Sequence, residues 1–113
     1  MTEKIIKIPL YHGEIVLKLV NKLSEVNEEF NTNFNLSHQA AVFDNLTEKG
    51  ILQYVIVFDK TTTNKVIAHE CVHLLNRIFI DRNIKLDVVN DEPQAYLMGW
   101  LFEQCEIFIK EEE

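Results

Sequence analysis

Positive charge is what this chain is short of. Eleven Lys and Arg stand against eighteen Asp and Glu over 113 residues, a formal net charge of −7. Without a basic stripe or aromatics interleaved with arginine, nucleic acid and anionic membrane surfaces are not expected as partners. No stretch approaches eighteen uninterrupted apolar residues, so nothing reads as membrane-spanning. The opening Met1-Thr2-Glu3-Lys4-Ile5 lacks the basic region, long apolar core and small-residue cleavage site of a signal peptide. Cysteine is scarce as well. Cys71 and Cys105 both fall in apolar helical patterns and read as reduced core residues, with a bridge between them the minor alternative. Repeats, low-complexity tracts and linkers are also missing, and the length suits one core. These absences lead to the expectation of a single domain, 1–113, in the cytoplasm of a bacterial or phage-infected bacterial cell.

Residues 4–10 and 14–20 alternate apolar and polar side chains and predict two strands, turned at His12-Gly13. Leu23, Val26 and Phe30 recur at helical spacing, predicting a short amphipathic helix over 21–31 with Asn21 able to cap it. Residues 39–45 read as a strand, because Thr47-Glu48-Lys49-Gly50 forms a hairpin turn into the β-branched and aromatic run Ile51 to Phe58. Thr61-Thr62-Thr63-Asn64 caps a helix through the seventies, a last helix covers about 91–110, and Glu111-Glu112-Glu113 is a solvated tail. The expected class is α+β, in the order β-β-α-β-β-α-α, with a four-stranded antiparallel sheet packed on the penultimate helix.

That helix carries the chemistry. His69-Glu70-Cys71-Val72-His73 places two imidazoles four residues apart, one above the other on an α-helix, where both can reach one ion. Ile67, Cys71, Leu74 and Ile78 form one apolar stripe, and Val66, Val72, Leu75 and Phe79 a second. A helix apolar on most sides does not tolerate two histidines and a glutamate unless something satisfies them. Two neutral imidazoles suit zinc, and a carboxylate one residue from a ligand flanks the metal without binding it. The bland reading, core or half-exposed histidines bonding nearby carbonyls, is the weaker one.

A zinc site with two histidines needs a third protein ligand and an open position. Glu92 follows His73 after eighteen residues, at the start of the last helix, with Asp91 the main competitor. Pro93 fits a first helical turn, and Asn90 or Asp91 a cap. Glu103 and Glu106 read as solvated-face glutamates. Tyr96, four residues after Glu92, shares its face and is either an oxyanion donor or an aromatic anchor beside Leu97 and Trp100. His12 and His38 are weaker donors, reading more naturally as surface-turn histidines.

His69-Glu70-x-x-His73 with Glu92 resembles the gluzincin, thermolysin-like metallopeptidases over roughly residues 63–110. The resemblance implies a minimal zincin-like domain holding one Zn²⁺ with His69, His73 and Glu92, and Glu70 as general base and acid. It departs from that family at Tyr96, where an Asp stands in thermolysin-like enzymes. The runs Ala68–His73 and Asp91–Trp100 also resemble small phage-type zincin proteins. The implied activity is hydrolysis of a peptide or protein substrate by metal-activated water, Glu70 passing the water's proton to the leaving amine. The alternative is a zinc-stabilised binding or regulatory protein that cleaves nothing, acting on a basic or host protein partner. Oligomeric state is not legible in these residues.

Overall fold

The structure is a computed structural model that describes residues 2–35 and 37–111. Of the acidic tail, Glu112 and Glu113 lie outside the described residues. The chain divides into two compact units, Met1–Thr63 and Asn64–Glu113.

In the first unit the most apolar strands take the middle of a four-stranded sheet. These are β2 (Glu14–Val20) and β4 (Leu52–Asp59), whose Val, Ile, Leu, Tyr and Phe side chains, Leu52 apart, have almost no exposed surface. β1 (Thr2–Lys7) and β3 (Ala40–Leu46), with more polar patterns, form the edges, giving the order β1-β2-β4-β3. The sheet is therefore mixed, not antiparallel as expected. β1 pairs antiparallel with β2 and β3 antiparallel with β4, but β2 and β4 run parallel, Val16 opposite Val55 and Leu19 opposite Phe58. A simple meander would have put β3 next to β2. Giving that inner place to β4 buries a strand that is apolar on both faces, the pattern usual for a strand paired in parallel.

The chain order differs from the expected one in the connection after β2. A 3-10 turn, Leu23–Val26, precedes a single α-helical turn, α1 (Asn27–Phe30). Lys22 holds the capping position rather than Asn21, its N–H donating to Glu25 Oε2 at 2.7 Å. Asn31, in the left-handed region at φ 55°, ends α1. Asn27 then organises the following loop: Oδ1 accepts from Thr32 Oγ1 and Phe34 N–H, and Nδ2 donates to the Phe34 carbonyl. Leu23 and Val26 pack on Val16, Val20, Val55 and Val57, flanked by Phe30, Phe34 and Phe43. Each such side chain contributes about 1.5–3 kcal/mol of transfer free energy.

One charge sits within this apolar surface. Lys18 is buried, its Nζ 2.7 Å from Glu3 Oε1 and 2.6 Å from Glu29 Oε1, and 5.1 Å from the centre of the Phe30 ring. Burial pulls the ammonium pKa down. Hydrogen bonds and charge from Glu29 and Glu3 outweigh that and hold it above the ordinary lysine value.

The second unit is α2 (Asn64–Asp81), a loop, and α3 (Glu92–Glu111). α2 ends in a left-handed Asn83, with the Ile84 N–H returning to the Phe79 carbonyl and the Asn83 N–H to Ile80. In the loop the Asp87 carboxylate accepts from the Val89 and Asn90 N–H groups, which hold its pKa below the ordinary carboxylate value. The Asp91 carbonyl accepts from Ala95, the first helical bond of α3. Among the described residues, no helix is long and apolar enough to cross a membrane.

Candidate metal centre

α2 is buried along Ile67, Cys71, Leu74, Leu75, Ile78 and Phe79. At about 100° per residue, these cover one side of the helix, while His69 and His73 emerge on the other. Both imidazoles are exposed. Their Nε2 atoms stand 3.2 Å apart and their rings meet edge to face, centroids 4.9 Å apart. Glu70, around the helix from His69, is only 8% exposed. Its Oε2 lies 3.9 Å from His69 Nε2. Among the described residues these three form the one group of His, Cys, Asp or Glu that could hold a metal ion, with ligand atoms within 4.8 Å of one another.

The donor set fits zinc in part. Two nitrogens bound tetrahedrally at 2.0–2.1 Å from zinc lie about 3.3–3.4 Å apart, so the 3.2 Å between the imidazoles needs almost no adjustment. Glu70 Oε2, at 3.9 Å from His69 Nε2, is wider than a shared coordination shell requires. Glu70 would stand beside an ion held by the two imidazoles rather than ligate it.

Glu92 does not join this group. It is the first residue of α3 and is exposed. The reason is the face on which α3 packs. Cys71 Sγ donates to Cys105 Sγ across the two helices at 3.8 Å. On α2, Cys71 points about 180° away from the mean direction of His69 and His73. α3 therefore lies behind α2 as seen from the imidazoles. Along α3, Glu92 is also about 20 Å from Cys105, at 1.5 Å per residue.

Tyr96 shares that fate. It is 76% exposed, on the side of α3 turned away from Cys105. Asp91 is exposed at the same helix end, Glu103 is exposed, and Glu106 meets Lys110 at 3.7 Å. His12 is exposed in the loop before β2. His38 serves its own loop. Its Nδ1 accepts from the Asn35 N–H, and its ring meets Phe34 at 5.3 Å.

Both cysteines are free and buried. The close contact with Cys71, together with burial, pushes the Cys105 thiol pKa far up. One side chain of this region is not among those the sequence singles out. Asn76, one turn beyond His73 on the same face, has a buried Oδ1 with no hydrogen-bond partner. Its spacing, three residues from His73 and seven from His69, is the signal that would have found it.

No protein-family model matches the chain, and neither a curated protein nor a solved structure matches it.

Proposed function

We propose that the chain is a minimal zinc-dependent metallopeptidase of the gluzincin kind, in which His69 and His73 hold one Zn²⁺ and Glu70 moves the proton. The observation that carries this reading is the preset pair of imidazole nitrogens, 3.2 Å apart, with a nearly buried carboxylate beside them on one helix. A zinc ion bound there supplies a Lewis acid that lowers the pKa of water to about 7 and polarises a carbonyl. Glu70 accepts a proton at its carboxylate and returns it to the departing amine. The substrate class is a peptide or protein, without nucleic acid or membrane, in the cytoplasm of a bacterial or phage-infected cell. Glu92 as third ligand and Tyr96 as oxyanion donor belong to this reading only if α3 turns a different face to the imidazoles than it does here.

A second reading has a specific observation behind it. The cluster gathers two imidazoles and no residue of α3, which suits a zinc-stabilised binding or regulatory protein. The two readings part at Glu70. The test is metal content by plasma mass spectrometry on untagged protein, with hydrolysis of an unstructured protein substrate followed in parallel. Wild type and Glu70→Gln should both carry zinc, His73→Ala should fall to background, and only wild type should hydrolyse. Zinc without hydrolysis in wild type supports the binding protein, and zinc in none of the three ends both readings.

A further inference from the structure

The imidazole pair is half of a coordination shell. It is exposed, it has the spacing two ligands of one ion need, and α3 is on the opposite side of its helix. Among the described residues no other histidine, cysteine or acid stands with it except Glu70, whose distance from His69 suits a neighbour better than a ligand. An ion held by two nitrogens has two positions left, and a second protein donor pair fills them better than surface side chains that are not already placed.

The same face carries apolar groups in water. Ile80 lies eleven residues beyond His69, which brings it round to the direction of the histidines, and it is 73% exposed; Val72, between the histidines in sequence, is 47% exposed. Single exposed aliphatics are ordinary. Val72 beside the histidines, and Ile80 about 10 Å further along the helix from His73, are apolar surface that a protein partner would cover. The partner that offers the missing donors at the right spacing, with the same apolar surface, is another copy of this chain.

We propose that a second copy completes the metal site, each chain contributing His69 and His73 to one shared zinc ion. This rests on the metal-binding reading above and adds to it a mode of regulation. Four imidazoles leave no position for water or substrate, so the zinc-bridged pair is a closed, silent form, and the single chain is the open one. An isologous contact of this type uses the same patch on both copies and closes on itself. The acidic chains repel each other, which keeps the pair dependent on the ion.

The experiment is native mass spectrometry with sedimentation velocity on untagged protein, first stripped with a chelator and then given half an equivalent of zinc per chain. The expected species is a dimer holding one zinc, returning to monomer on chelation. In His69→Ala and in His73→Ala the dimer should be absent at the same zinc level. Both positions are exposed, and circular dichroism verifies that these variants fold. A monomer carrying one zinc overturns the bridge while leaving the metal reading intact. A dimer that survives chelation or the His73→Ala change also overturns it, because the contact would not be the ion's. A chain that binds no zinc at all overturns both.

Discussion

Among the described residues two charged side chains are buried, Lys18 and Glu70, and their surroundings treat them differently. Lys18 is enclosed by two carboxylates and an aromatic face. Glu70 has His69 near it at 3.9 Å, too far for a hydrogen bond. A carboxylate held this way costs stability, a cost that functional sites commonly carry. Glu70→Gln, of the same shape without the charge, should raise the stability of the metal-free protein by about 1 kcal/mol. Urea unfolding in the presence of chelator measures it; a lower midpoint in the variant would show that Glu70 is held by something other than a metal. Lys18 yields the opposite expectation. Its folded pKa lies above the unfolded one, so its contribution is complete below about pH 10.5 and disappears as pH rises through the folded value. Lys18→Ala should destabilise at neutral pH by about 1–2 kcal/mol, modest because Glu3 and Glu29 are half exposed and can rehydrate. The gap between wild type and variant should shrink above the ordinary lysine range. A gap that stays constant into strong alkali would refute the ion-pair account.

At the scale of elements, the turn between β3 and β4 is held by residues whose roles are local. The Thr47 N–H donates to Ile51, the Gly50 N–H returns to Thr47, and the Ile51 N–H donates to Thr47 Oγ1. Gly50 adopts φ 81°, where a side chain is strained even though open space surrounds the position. Gly50→Ala should therefore cost about 1 kcal/mol through backbone strain alone, read as a drop in denaturant midpoint at constant m-value. A neutral result would mean that the turn relaxes into another conformation. This turn was legible from Thr47-Glu48-Lys49-Gly50, as were the helix around the histidines and the apolar run of β4, because each is set by residues close in sequence. The parallel pairing of β2 with β4 was not, since alternation defines a strand's faces and not its neighbours. The place of the third ligand is open to the sequence for a related reason. Eighteen residues after His73 give enough chain to bring Glu92 back, but reach does not determine which side of α2 the next helix covers. Cys71 and Cys105 settle that side through their contact at 3.8 Å. The stripe of Ile67, Cys71, Leu74 and Ile78 opposite the histidines already pointed to it.

For the molecule as a whole, the proposed metal site would link ion binding to folding by mass action. A ligand that binds only the folded chain stabilises it by about 2.7 kcal/mol at a hundred times its dissociation constant. For a chain of this length that corresponds to a rise of about 10 °C in melting temperature. The helix presents both imidazoles at 3.2 Å without rearrangement, so little of the binding energy is spent on ordering the site. An unfolded chain holds the same two histidines at no fixed distance and competes poorly. Thermal unfolding with and without excess zinc should therefore show the full rise in wild type and in Glu70→Gln. The Glu92→Ala variant should show it too, because Glu92 stands outside the cluster. His69→Ala and His73→Ala should lose nearly all of it, a single imidazole being a weak ligand. The rise should also shrink in acid, where protons compete with the ion for the imidazole nitrogens. Loss of the effect in Glu92→Ala would mean that α3 reaches the ion in the metal-bound protein, restoring the two-histidine, one-glutamate set that the spacing suggests. An equal rise in His73→Ala would place the zinc elsewhere on this acidic chain and remove the basis for both the peptidase and the bridged pair.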